Sequence, residues 1–134
     1  MVLATALKNS GVPAAVVQID DFFLPSDRRS HDSPSEKSIG ADFDCQKLRD
    51  QVLIPLSSGK GACYQRYDWD HDRLTEFHDV AVGQVVIVEG IYCTRQELAD
   101  LYQLRVWINC PSNIRLCRGL ERDGEPARIR LDAV

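Results

Sequence analysis

The sequence predicts an α/β fold, a parallel sheet flanked by helices, and three observations carry that prediction. Two short apolar runs, Ala14–Ile19 (AAVVQI) and Val85–Val88 (VVIV), have the length and valine content of strands covered on both faces. Helix-forming stretches alternate with them along the chain, as a sheet covered by helices requires. Both runs end in carboxylates, Asp20-Asp21 and Glu89, beyond the carboxyl ends of strands, where such sheets hold their ligands.

In chain order, residues 2–9 (VLATALKN) have helical composition and Gly11 stands where a helix stops. The first strand follows. Residues 24–41, rich in Pro, Ser, Asp and Arg, read as a mobile loop. Asp44–Leu53 reads as a helix ended by Pro55. Ser57–Gly61 is a turn and Ala62–Tyr67 a short strand. After the second buried strand, Thr94 with Glu97 three residues on has the spacing of a capping box opening a helix. Leu104–Asn109 reads as a third main strand, and Pro111 starts a last helix that reaches Arg122.

The 134 residues suit one domain, with 44% hydrophobic and 27% charged residues. A net charge of −4 gives no reason to expect nucleic acid or an anionic membrane as partner. No apolar run approaches the roughly 20 residues of a membrane span, and the N-terminus lacks a signal peptide's pattern. The scattered set Cys45, Cys63, Cys93, Cys110 and Cys117, without a C-x-x-C pair, fits reduced thiols and a cytoplasmic location.

Asp20 is the first candidate for chemistry, because a carboxylate at the ligand crevice can accept a proton from a substrate hydroxyl. A loop aspartate that merely caps a turn has the same pattern. Glu89 precedes Gly90 and could hold magnesium through water, or only satisfy a backbone group at a strand end. The run Tyr67–Arg73 mixes aromatic, acidic and basic groups; its rings could stack on a flat base, or the run is a solvated turn. Its aspartates imitate a calcium loop only weakly, since Arg73 stands where glycine is required. Arg115, Arg118 and Arg122 share one helix face opposite Leu116, Cys117 and Leu120, a cluster suited to phosphate or to surface salt bridges. Ser58-Gly59-Lys60 imitates the end of G-x-x-x-x-G-K-[ST], but Ile54 and Gly61 stand at two required positions and a strand follows, so that motif is rejected.

The segments VVQIDDFFLP (16–25), FDCQKLRDQVLIPL (43–56), YQRYDWDHDRLTEFH (64–78), VVIVEGIY (85–92) and RLCRGLERD (115–123), in this order, resemble the uridine kinase and phosphoribulokinase group of P-loop kinases. The resemblance covers about residues 2–125. It implies a P-loop kinase fold, transfer of the γ-phosphate of ATP to a hydroxyl of a nucleoside or related compound, and Mg2+. On this resemblance Asp20 is the general base and Glu89 the acidic group near the metal. Asp44 contacts the substrate sugar, and Phe23, Tyr67 and Trp69 lie near the nucleoside. Arg115, Arg118 and Arg122 belong to a lid, about residues 112–125, that closes over phosphates. Phe23 departs from the family's frequent tyrosine, which weakens the case for uridine itself.

The family's glycine-rich loop would precede VLATALKN. The expectation is therefore a single domain over residues 1–134, incomplete at both ends, open to self-association and with little kinase activity of its own. Two other readings stay open: a non-catalytic kinase relic or binding protein, and a metal-dependent phosphohydrolase using Asp20, Asp21 and Glu89.

Overall fold

The computed structural model describes residues 2–33 and 35–124. The chain divides into two units, Met1–Gln103 and Leu104–Val134.

The first unit opens with α1, Val2–Asn9. Gly11 ends it at φ 77. There its N–H donates to the Lys8 carbonyl at 3.0 Å and the Val12 N–H to the Leu7 carbonyl at 2.9 Å. That pair of bonds satisfies carbonyls the helix would leave open, and only glycine reaches the required backbone angle without strain. Strand β1 is Ala14–Gln18, and a 3₁₀ turn, Ile19–Phe22, follows at once.

A long irregular segment then leads to α2, Cys45–Leu48, capped by Asp44, whose side chain accepts the Lys47 N–H at 2.9 Å. The predicted stop at Pro55 is corrected. The chain passes from α2 through a π-helical turn, Arg49–Leu53, into α3, Ile54–Ser57. The Ile54 N–H reaches back to the Arg49 carbonyl. A proline ring clashes with the carbonyl four residues before it, and the wider turn just upstream gives that ring room.

Strand β2, Ala62–Asp68, pairs antiparallel with β3, Arg73–Val80, an element absent from the sequence reading. Its register runs Gln65↔Phe77 and then Tyr67↔Leu74, so β3 carries one extra residue opposite Arg66. That bulge falls between Leu74 and Phe77, and Phe77 is 66% exposed while Val80 is buried, so the apolar residues of β3 show no period of two.

Strand β4, Val85–Glu89, lies parallel to β1, with register from Ala14↔Val85 to Gln18↔Glu89. The expected parallel pairing is present, joined in this unit by an antiparallel hairpin. The helix expected at Thr94 is a 3₁₀ segment instead, Gln96–Leu101, preceded by Arg95 with no side-chain cap. Glu97 takes a hydrogen bond from Arg95 Nη2 at 3.3 Å, so it does not close the capping box read from the sequence.

The core draws on β1, the two 3₁₀ segments, α2, the π-helical turn, β2 and β3, with partly buried Leu56 of α3 and Val86 and Val88 of β4 packed against it. Val17, Ile19, Phe22, Leu48, Val52 and Leu98 are buried together with Leu53, Ala62, Tyr64 and Val80. Phe22 stacks on Tyr64 with centroids 4.8 Å apart. Full burial of a side chain of that size contributes about 1.5–3 kcal/mol.

In the second unit the predicted strand Leu104–Asn109 does not form. The segment enters no ladder among the described residues, and Leu104, Trp107 and Ile108 are exposed. Without a neighbouring strand its apolar composition alone cannot fix a β conformation. Helix α4, Ser112–Asp123, follows Pro111 and stops at Gly124, φ 78, close to the predicted bounds. No helix among the described residues is long and apolar enough to cross a membrane. All five cysteines are unpaired.

Candidate active site

The parallel pair sets the site. Gln18 and Glu89 are register partners at the carboxyl ends of β1 and β4, and Gln18 Nε2 donates to Glu89 Oε1 at 3.2 Å. Asp20 lies two residues past Gln18 and is exposed. The two carboxylates singled out from the sequence thus come to one end of one sheet. Gly90 continues the chain at φ 121, where an added Cβ would sit 2.2 Å from Ile19 Cγ2. Glycine is needed here because the backbone after Glu89 passes directly over the turn that carries Asp20.

Asp21 points the other way. It is the one buried charged side chain among the described residues, accepting from the Tyr64 hydroxyl and from Arg66 Nε, both at 2.9 Å. Val17, Ile19 and Asp21 are buried while Gln18 and Asp20 are exposed, so inward–outward alternation continues past the end of β1. A buried carboxylate needs such partners, and these bind the turn to β2. Its hydrogen bond and burial push the Tyr64 hydroxyl above its ordinary pKa, burial being the larger cause. This employment corrects the three-carboxylate metal reading of Asp20, Asp21 and Glu89. No group of three His, Cys, Asp or Glu that could hold a metal occurs among the described residues.

Asp44 borders a cleft of about 440 Å³ lined also by Leu24, Phe43, Arg49 and Arg95. Arg95 Nη1 donates to the Ile39 carbonyl at 3.2 Å, fastening the loop of residues 24–41 beside Asp44. Tyr92, at φ 65, packs with Phe43 at a centroid distance of 5.6 Å. Lys47 is half-buried, and burial holds its ammonium below the ordinary lysine pKa. Its Nζ donates to the Gln65 carbonyl.

The rings form a cluster. Phe23 stacks on Trp69 at 4.6 Å and meets Tyr67 and Phe43 edge-on at 5.4 and 5.1 Å. Trp69 is 57% exposed, whereas Tyr67 is buried and gives its hydroxyl to Asp72 at 2.5 Å. Arg115, Arg118 and Arg122 are all exposed on α4, in the second unit.

Sequence reasoning missed β3, the inward role of Asp21, the Arg95 fastening and the bonds of Asp72. Only Asp21 had a usable signal, the alternation of Val17, Ile19 and Asp21. The Asp72–Ser26 and Arg95–Ile39 bonds join residues more than 40 apart in sequence, and β3 is defined only by its pairing with β2.

The profile of the Phosphoribulokinase / Uridine kinase family matches residues 6–130. The chain belongs to that family. Among curated proteins of the family, the uridine kinase of Halobacterium salinarum is 25% identical over 122 residues, covering 86% of this chain and 52% of its own length. The uridine kinase of Macrococcus caseolyticus is 25% identical over 137 residues, covering 99% of this chain and 66% of its own. A solved structure described as a possible uridine kinase from Bacillus stearothermophilus superposes with a TM-score of 0.68 at 19% identity, over 96% of this chain and 71% of that one. That likeness shows the P-loop kinase-like fold. The chain spans about half the length of the curated relatives it matches.

Proposed function

We propose that this family member serves an ATP-dependent small-molecule kinase of uridine kinase type, passing the γ-phosphate to a hydroxyl of a nucleoside or related compound. The observation that carries the reading is the placement of Asp20 just past β1 and of Glu89 at the end of β4, its parallel partner, in a unit that also holds a ring cluster with Trp69 57% exposed. Asp20, exposed at that end, is the base that accepts the substrate hydroxyl proton. Glu89, at the end of β4 opposite Gln18, would hold magnesium. Magnesium usually takes one or two carboxylates and fills its shell with phosphate oxygens and water, and this donor set fits that habit. When bound, the metal would neutralise phosphate charge.

Asp44 and the cleft beside it receive the sugar. Trp69 offers the stacking face for the base, Phe23 backs Trp69, and Tyr67 supports both from within. Arg115, Arg118 and Arg122 supply guanidinium groups for phosphate. A cytoplasmic location follows the reduced cysteines.

Calorimetric titration with uridine, followed by ADP release in uridine with Mg-ATP, tests the reading. Saturable binding supports the nucleoside reading. ADP above a no-substrate control supports the kinase and overturns the expectation of little activity in this chain, with Asp20→Asn then lowering turnover about 100-fold at unchanged uridine affinity. Binding without ADP leaves the non-catalytic binding protein. Absence of both rejects the nucleoside reading.

A further inference from the structure

We propose that Asp72 is the positioning residue of the ring cluster, setting the orientation in which Trp69 meets a flat ligand. The inference rests on the nucleoside reading above, and it concerns a residue away from the strand-end carboxylates.

Asp72 closes the turn between β2 and β3 at φ 48, a left-handed conformation that aspartate tolerates better than most residues. Both of its oxygens take the Ser26 N–H, at 3.1 and 3.3 Å. Oδ1 also takes Arg29 Nη2 at 3.2 Å and the Tyr67 hydroxyl at 2.5 Å. One carboxylate therefore ties the hairpin to the first residues after Phe23. The bonds are charge-assisted, stronger and more directional than neutral ones.

Each bond fixes a wall of the cluster. Tyr67, held by its hydroxyl, meets Trp69 edge-on at 5.0 Å. Arg29, held by its guanidinium, lies with Cζ 5.0 Å from the Phe23 centroid. Its Nε is buried without a hydrogen-bond partner, a cost tolerated while the guanidinium stays against Phe23 and Asp72. Phe23 in turn stacks on Trp69. Two rings already in contact at 4.6 Å leave no gap for a third between them. A base must therefore lie on the open face of Trp69, and its affinity follows the angle at which Phe23 and Tyr67 hold that indole. Asp72 touches neither the base nor the reacting atoms; it acts through its partners.

The test uses the whole chain in a Trp107→Phe background, so that tryptophan emission reports Trp69 alone. Uridine is titrated into this protein and into Asp72→Ala and Asp72→Asn. Asp72→Ala is expected to weaken uridine about tenfold, the order of one charge-assisted hydrogen bond. It also shifts Trp69 emission and speeds proteolytic cleavage within residues 24–41, at unchanged circular dichroism. Asp72→Asn, whose amide oxygen still accepts the Ser26 N–H, recovers part of the affinity. Equal uridine affinity in all three proteins overturns the proposal. Should Asp72→Ala fail to fold, the asparagine variant decides by the same comparison. If the unsubstituted protein binds no uridine, the nucleoside reading falls separately. Emission and cleavage then decide: changes in both sustain the positioning role, and their absence overturns it.

Discussion

At the scale of single residues, adjacent aspartates serve opposite purposes. Asp20 stays at the surface, while Asp21 is buried and spends its oxygens on Tyr64 and Arg66. Removing the Tyr64 hydroxyl, as in Tyr64→Phe, is expected to cost about 1 kcal/mol in urea unfolding, the net worth of such a bond. Asp21→Ala should cost more, because it strands two buried or half-buried donors at once. Gly90→Ala should be more damaging still. It combines a backbone angle that alanine resists with a methyl placed 2.2 Å from Ile19 Cγ2. A fall in melting temperature of Gly90→Ala larger than that of Gly11→Ala, where nothing lies within 4 Å, checks the steric part.

The surface carboxylates add a dependence on pH. Hydrogen bonds from Ser26 and then Tyr67 hold the Asp72 carboxyl below its ordinary value of 3.8, and the bond from His71 does the same for Asp68. A depressed carboxyl contributes stability that is present above its unfolded pKa and lost as pH falls through the folded one. Urea midpoints should therefore drop as pH falls below about 4, and Asp72→Asn should flatten that drop.

At the scale of elements, α2 begins on a residue with two possible duties. Asp44 caps the helix through the Lys47 N–H and also borders the cleft proposed for the sugar. Asp44→Ser keeps a capping oxygen but removes the carboxylate, whereas Asp44→Ala removes both. Alanine should cost about 1 kcal/mol of stability and serine little. Uridine binding should weaken in both, which separates the structural duty from the proposed functional one. The start of this helix was legible in the sequence, because a capping residue before an apolar run is a local signal. Its continuation past Pro55 was not, since the relief comes from a π-helical turn that no local propensity announces. The hairpin strand β3 was hidden for a related reason: a bulge is a relation between two strands.

At the scale of the whole molecule, the first unit has a core assembled from pieces far apart in the chain. Leu98, 1% exposed on a short 3₁₀ segment, packs with Val17, Leu48 and Ala62. Leu98→Ala should cost about 2–5 kcal/mol, measured by urea unfolding, as expected of a buried leucine. Arg115→Ala with Arg118→Ala changes exposed positions on α4 and should leave the unfolding midpoint within about 0.5 kcal/mol of the original.

The sequence by itself determined the first and last helices, the parallel strands, their acidic ends and the family. Those features rest on local chemistry: apolar runs, caps, glycine stops and ordered motifs that each read without a partner. Tertiary structure decided which aspartate of the pair turns inward, where β3 pairs, that Leu104–Asn109 forms no strand, and which rings lean on Trp69. Each of these turns on whether a residue finds a partner outside its own element, as Asp21 does in Tyr64 and Arg66, β3 in β2 and Trp69 in Phe23, and as Leu104–Asn109 does not among the described residues. Burial and hydrogen-bond satisfaction there outweigh the small energies of local propensity.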